Sequence, residues 1–254
     1  MIRWPAEAIW QAVAPLLPGF TVEILPEIDS TNSELVRRAR SGLTEPTLLV
    51  GEQQTAGRGR LGRGWHSAAG DSLTFSLALP LAPADWSGLS LAVGASIAES
   101  LHPAVRLKWP NDLWLQDRKL AGILIETAGF AGDARPRQAV IGVGLNIAPR
   151  AASGLSTPPA CVRELLPEAD AASVLLRVVP ALVQDVLSFQ QAGFAPFHAR
   201  FDARDLLRDR PVTLSDGTAG TAHGVGESGA LLVHTAAGLQ AIASSEVSVR
   251  PAGP

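Results

Sequence analysis

Residues 51–67 read Gly-Glu-Gln-Gln-Thr-Ala-Gly-Arg-Gly-Arg-Leu-Gly-Arg-Gly-Trp-His-Ser. Gly57, Gly59 and Gly62 spell G-x-G-x-x-G, and what flanks them decides the fold. A dinucleotide-binding turn runs from a strand directly into a helix. Thr47 to Val50 supplies a strand, but Leu73, Phe75, Leu77 and Leu79 follow with small or polar residues between them. A period of two is another strand, so the Rossmann reading lacks its helix. The charges suggest something else. Arg58, Arg60 and Arg63 fall within six residues, and no carboxylate lies between Glu52 and Asp71. Three guanidiniums in one place repel one another unless an anion sits among them, and their planar forks fit phosphate and carboxylate. The glycines make this loop costly to order, so it is expected to be mobile when empty and to close over an anion. A solvated basic surface loop is the plainer alternative.

The composition narrows the class. The chain has 254 residues, 46% of them apolar, enough for one large domain or a large and a small one. A net charge of −3 argues against general nucleic-acid binding. A single cysteine, Cys161, forms neither a disulfide framework nor a thiolate zinc site within one chain and reads as a small apolar residue. Glu7 interrupts the N-terminus, which does not read as a signal peptide. No apolar run is read as reaching the ~20 residues of a membrane span. A cytoplasmic protein without membrane contact is expected. Of 21 basic residues only Lys108 and Lys119 are lysines.

Along the chain, Ala6 to Ala14 suggests a short helix and residues 21–28 a strand. Thr31 with Glu34 fits a capping box, so a helix starts there, its first amides open to a polar ligand group. Leu89, Val93, Ile97 and Leu101 describe an amphipathic helix behind Asp85 as cap. Val105 to Trp109 and Leu113 to Gln116 read as strands joined by the Pro110-Asn111-Asp112 turn. Two further strands follow, Lys119 to Thr127 and Ala139 to Ile147. In the second, Gly142 and Gly144 mark a place where something approaches the backbone closely. Residues 149–160 form a loop. Helices follow over 171–190, kinked at Pro180, and from Phe194 to Leu207. After Arg210-Pro211, five short strands in about 45 residues suggest a small barrel.

Four stretches carry chemistry: the Gly/Arg loop, Lys108-Trp109-Pro110-Asn111-Asp112, Lys119-Leu120-Ala121-Gly122-Ile123-Leu124-Ile125-Glu126, and Gly142-Val143-Gly144-Leu145-Asn146. In this order, preceded by Asp29-Ser30-Thr31-Asn32, they resemble biotin–protein ligases. The end of the chain, with Glu246-Val247-Ser248-Val249-Arg250, is similar to that family's C-terminal domain. The resemblance implies an α+β fold of the class II aminoacyl-tRNA-synthetase-like type. Its mixed, largely antiparallel sheet is flanked by helices and occupies residues 1–208. A small SH3-like barrel takes 209–254. The match is to the form without an N-terminal DNA-binding domain, so no DNA partner is expected.

The implied reaction condenses biotin with ATP to biotinyl-5′-adenylate and passes the biotinyl group to a lysine of a biotin carboxyl carrier domain. Two anions must meet, so fixed cations are needed. By resemblance, Lys119, Arg58 and Asp112 are catalytic. Biotin would be held by Ser30, Thr31, Asn32, Gln54, Gly57, Arg58, Arg60, Lys119, Gly122, Leu124 and Gly144. ATP would meet Arg60, Arg63, Trp65, Asn111, Lys119 and Asn146. Asp112 would hold Mg²⁺, an ion suited to hard oxygen ligands, or orient or deprotonate the acceptor amine. Turn chemistry alone also accounts for Asn111-Asp112, and strand-end capping for Asn146. Trp109 is expected to be structural and Trp65 to stack beside adenine. Arg250 is a candidate to reach back to the site. Family members often pair by sheet extension, so a homodimer is an expectation. Three rivals remain: a lipoate or octanoate ligase, a non-catalytic biotin or nucleotide sensor, and, weakest, a DNA-binding regulator.

Overall fold

The alternation around Phe75 becomes a strand inside a seven-stranded sheet. We analysed a computed structural model that describes residues 2–129, 136–150 and 157–243, together with the backbone of 249–251. The elements of the first 208 residues are α1 (Ala6–Val13), β1 (Thr21–Ile28), α2 (Thr31–Arg40), β2 (Thr47–Gln54), β3 (Ser72–Leu81), α3 (Leu89–Leu101), β4 (Arg106–Lys108), β5 (Asp112–Leu115), β6 (Arg118–Ala128), β7 (Arg137–Asn146), α4 (Ala171–Ala192) and α5 (Ala195–Asp202). The sheet order is β1-β2-β3-β7-β6-β5-β4. Only β1 and β2 are parallel, joined through α2, and every other pair is antiparallel. This is the mixed, largely antiparallel sheet that the sequence led us to expect.

The two faces of the sheet are covered very differently. Leu73, Phe75, Leu77, Leu79 and Leu81 of β3 point into the main core with α1, α3, α4 and α5. Burial of that many large side chains, at about 1.5–3 kcal/mol each, dominates the stability of the domain. The residues between them, Thr74, Ser76 and Ala78, face the opposite side, where α2 is the one covering helix among the described residues. Leu35 and Val36 of α2 pack there on Leu49, Ala78 and Val140. Beyond α2 the sheet face stays open, and the cleft described below lies there. Small residues on this face are therefore what admits a ligand.

Several expectations change. The cap of α2 is Ser30, whose Oγ accepts from Ser33 N at 3.3 Å, not Thr31. Glu34 turns to Arg37 and Arg38 instead of closing a capping box. The shift matters because it releases the Thr31 side chain for the sheet. The α3 helix is buried around almost its whole circumference rather than amphipathic, since α4 and the sheet enclose it. Its start is Gly88, in a left-handed conformation at φ +81°, and Asp85 caps only Ser87 N. The α4 helix continues through Pro180. It is also long and apolar enough to cross a membrane, contrary to the sequence reading, but half of its apolar window is buried against the core. The last predicted helix ends at Asp202, well before Leu207.

The C-terminal strands β8 (Pro211–Leu214), β9 (Ala219–Val225), β10 (Leu231–Thr235), β11 (Gly238–Ile242) and β12 (Val249–Pro251) form a separate antiparallel sheet, ordered β11-β10-β9-β8-β12. Its five strands match the expected small barrel. Val212, Leu214, Ala222, Val225, Leu231 and Val233 join the same hydrophobic cluster as the first domain. Trp109, 1% exposed, donates its indole N–H to Gly229 O at 3.0 Å, which makes it the structural residue expected. Arg210 pairs with Asp117 at 2.6 Å. The side chain of Arg250, a candidate for reaching the site, lies outside the described residues.

Candidate active site

The Gly/Arg stretch is not an open coil. Gly59 N donates to Arg63 O at 2.7 Å and Trp65 N to Gly57 O at 2.8 Å, while Arg58 and Gly64 form an isolated bridge. Arg60–Gly62 makes a short 3₁₀ turn, and Leu61 sits at its tip with φ +55°, 63% exposed. This small hairpin hangs over the open sheet face and closes one side of a cleft of about 450 Å³. The floor comes from Gly122 and Leu124 of β6 and Gly142 and Gly144 of β7. The α2 start supplies Ser30, Thr31 and Asn32, and the end of β2 supplies Gln54.

The floor glycines explain themselves by close approach. A Cβ at Gly142 would lie 2.1 Å from Asn32 Oδ1, and one at Gly144 2.3 Å from Trp65 Cε2. The intruders that the sequence left unnamed are thus Asn32 and Trp65. Trp65 lies with its ring on β7, and its indole nitrogen is buried without a hydrogen-bond partner among the described residues.

The cations surround this floor. Lys119 Nζ lies 2.8 Å from Asp112 Oδ1, where β5 and β6 pair beside Gly122. The register places Asp112 opposite Gly122, so both groups lean over a residue with no side chain. Arg58 donates to Glu126 Oε2 at 2.6 Å. Arg60 donates to Asn111 Oδ1 at 3.3 Å. Burial pulls the Arg60 guanidinium below its ordinary value, opposed by the charge of Asp112 and reinforced by Arg63. Of the described residues singled out for a site role, all line the cleft except Gly57, which acts through its carbonyl on Trp65.

Not every lining residue has polar atoms to spare. Asn111 donates Nδ2 to Ile123 O at 2.8 Å and accepts Ile123 N on its backbone, so it fastens the turn to β6. Asn146 donates to Lys119 O and Ala160 O, at 3.2 and 3.0 Å. Asn32 Nδ2 lies 3.1 Å from Leu124 O and 3.0 Å from Glu126 Oε2, and its Oδ1 lies 2.6 Å from Ser76 Oγ. These three side chains hold the wall in shape.

Comparisons with known proteins bear on what this cleft is. A family model described as Biotin/lipoate A/B protein ligase family matches residues 24–146, and one described as Biotin protein ligase C terminal domain matches 209–250. The Bifunctional ligase/repressor BirA of Escherichia coli is 39% identical over 250 residues, 93% of this chain and 76% of the relative. The chain belongs to the biotin protein ligase family. A biotin–[acetyl-CoA-carboxylase] ligase of Paracoccus denitrificans is 35% identical, over 88% of this chain and 98% of its own length. The biotin protein ligase of Aquifex aeolicus, solved in complex with biotin and ATP, superimposes with a TM-score of 0.78 at 30% identity, covering 91% of this chain and 99% of that one.

Three residues of this biotin ligase cleft were given no role in the sequence reading. Arg150 donates to His66 O at 3.2 Å and to Asn146 Oδ1 at 3.3 Å, tying the Gly/Arg hairpin to the end of β7. Lys108 Nζ lies 5.2 Å from the centroid of Trp114, so both lysines of the chain stand on the cleft wall. Glu126 was quoted in a motif without a role, yet it anchors Arg58. Arg150 and Glu126 matter through partners far away in sequence, and the Lys108 contact with Trp114 forms only when β4 and β5 pair.

Proposed function

We propose that this cleft joins biotin to ATP as biotinyl-5′-adenylate and passes the biotinyl group to the ε-amine of a lysine on a biotin carboxyl carrier domain. The observation that carries the reading is the placement of Lys119, Arg58, Arg60 and Arg63 around one glycine-floored slot that ends in the polar corner of Ser30, Thr31 and Gln54. Biotin has the same polarity. Its fused rings are neutral and need a few hydrogen-bond partners in a dry pocket. Its tail is a carboxylate.

In the first step a carboxylate oxygen of biotin forms a bond to the α-phosphorus, and the bond from that phosphorus to the β-bridging oxygen breaks, releasing pyrophosphate. Lys119 brings the two anions together with a compact charge, and Arg58 exchanges Glu126 for the acyl-phosphate region. Arg60 and Arg63 meet the nucleotide phosphates. Fixed charges of this kind reduce the barrier because they are oriented before charge develops. Trp65 offers the adenine a ring face. In the second step the acceptor amine attacks the acyl carbon, the acyl–oxygen bond breaks and AMP leaves. Asp112 is the carboxylate at hand to take the amine's proton.

The cleft also fits Mg²⁺ in the manner usual for nucleotide enzymes. Among the described residues no cluster of three or more metal-binding side chains exists, but one carboxylate plus substrate phosphates suffices for this ion. Asp112 would hold it, and when bound it neutralises phosphate charge. Residues 1–208 would carry the chemistry and 209–254 would brace it through the shared core. Two copies of the chain would pair through the edge of β6 beyond Gly122, where β5 no longer covers it. No DNA-binding role forms part of the proposal.

Biotin-dependent exchange of pyrophosphate into ATP tests the reading. Exchange that requires biotin and is not supported by lipoate or octanoate is expected. Binding of biotin without exchange would identify a sensor instead, and exchange driven by octanoate would identify the related ligases.

A further inference from the structure

Ser76 is fully buried on β3 and does not reach the cleft, yet the protons around it decide how the polar corner presents itself. Its Oγ lies 2.6 Å from Asn32 Oδ1 and 2.7 Å from Thr31 Oγ1. A hydroxyl has a single proton to give. The orientation of the Asn32 amide is fixed, because its nitrogen faces Leu124 O and the Glu126 carboxylate, which both accept. Its oxygen must therefore receive, and Ser76 donates to it. Thr31 then has to donate to Ser76, since two bare oxygens would otherwise meet at 2.7 Å.

The opposite assignment is worse. It sends the Ser76 proton to Thr31 and the Thr31 proton to Gln54 Oε1, 3.1 Å away. Ser76 and Asn32 would then face each other at 2.6 Å with no proton between them. The preferred assignment leaves the protonless gap at the wider contact, Thr31 to Gln54. Gln54 Oε1 is itself fixed as an oxygen by Thr31 N, which donates to it at 2.8 Å. The chain runs Thr31 to Ser76 to Asn32 to Glu126, pinned at its end by a carboxylate that also receives Arg58.

We infer that Ser76 is a positioning residue that commits the Thr31 hydroxyl to act as an acceptor toward the cleft, beside the carbonyl oxygen of Gln54. Two acceptors 3.1 Å apart on a cleft wall receive one N–H. The inference rests on the ligase reading, in which the biotin ureido group enters this corner. A ureido nitrogen supplies that N–H. A ligand presenting an oxygen there would meet two acceptors and be rejected, because its buried polar atom would go unpaired.

The test is pyrophosphate exchange with Ser76→Ala, Thr31→Val and the double variant. Ser76→Ala frees the Thr31 proton to turn to Gln54. The KM for biotin is expected to rise roughly five- to tenfold, the worth of one neutral hydrogen bond. The KM for ATP and kcat stay within about twofold, because a uniform loss of ground-state binding leaves kcat alone. Thr31→Val removes the acceptor itself, and adding Ser76→Ala to it should cost nothing further, as for residues acting in one chain. An unchanged biotin KM in Ser76→Ala, additive losses in the double variant, or a loss confined to kcat would each overturn the inference. Should the alanine variant not fold, Ser76→Cys fills the site with a somewhat larger, weaker donor and is expected to show an intermediate rise in biotin KM; a wild-type KM there would overturn the inference. Wild-type protein lacking biotin-dependent exchange would remove the ligase reading itself, before any variant is compared.

Discussion

Lys119 lies 2.8 Å from Asp112 on the cleft wall, and the proposed reaction makes it the charge between biotin and the α-phosphate. Its replacement by alanine is expected to slow biotin-dependent exchange by about 10²–10³-fold, the usual cost of removing one fixed charge-stabilising group. The side chain is one-third exposed, so the melting temperature should shift by only a few degrees. Calorimetry beside the exchange assay separates the two effects, and near-wild-type exchange would remove Lys119 from the chemistry. At this scale the sequence was a good guide to which residues gather and a poor guide to what they do there. Arg58, Lys119 and Trp65 carried recognisable chemistry. Asn32, Asn111 and Asn146 also reach the cleft, but the partners that occupy their amides, Glu126, Ile123 and Ala160, become neighbours only on folding. Ser76 gave no signal at all, because a serine between Phe75 and Leu77 in a strand reads as a filler.

The Gly/Arg hairpin is the element whose behaviour should change most on binding. Its ties to the rest of the chain include Arg58 to Glu126, Arg60 to Asn111 and Arg150 to His66 O, with the Trp65 ring lying on β7. An exposed ion pair such as Arg58–Glu126 contributes about 0–1 kcal/mol and weakens with salt. Trypsin should therefore cut at Arg58, Arg60 or Arg63 in the empty protein, faster at high salt. Biotin together with ATP should protect these sites by ordering the hairpin. Equal cleavage rates with and without ligands, followed by mass spectrometry of the fragments, would show that the hairpin does not close. Strands were easy to read because their alternation or glycine content is local, as in β3 and β7. The ends of helices were harder. Thr31 and Ser30 are both good caps, and the choice between them depends on Ser76 and Gln54, which pull Thr31 away. The burial of α3 depends on α4, some seventy residues further on.

Across the whole molecule, the seam between the two domains holds a titratable group. Asp205 lies where the chain leaves α5 for the barrel, beside Leu107, and its Oδ1 accepts from Leu207 N at 2.8 Å. Burial pushes its carboxyl up to about 6 from the ordinary 3.8, with Leu207 N and Arg208 pulling the other way. An acid with a raised folded pKa binds its proton more tightly folded than unfolded. Its contribution to stability therefore falls as pH rises from about 4 to about 6, and then levels off. Asp205→Asn should leave stability near pH 4 unchanged and raise it at pH 8 by about 1–2 kcal/mol, read from denaturant unfolding at both pH values. An equal change at both would show that the carboxyl ionises freely in the fold.

One feature of the cleft wall reaches beyond catalysis. Both ε-amines of the chain, Lys108 and Lys119, stand on that wall, and the remaining nineteen basic side chains are arginines, which do not accept acyl groups under these conditions. An activated vitamin that drifts off the enzyme finds almost no target on its maker. Intact-mass measurement after prolonged turnover without a carrier should accordingly show at most a few self-attached labels, confined to those two lysines and the chain's α-amine.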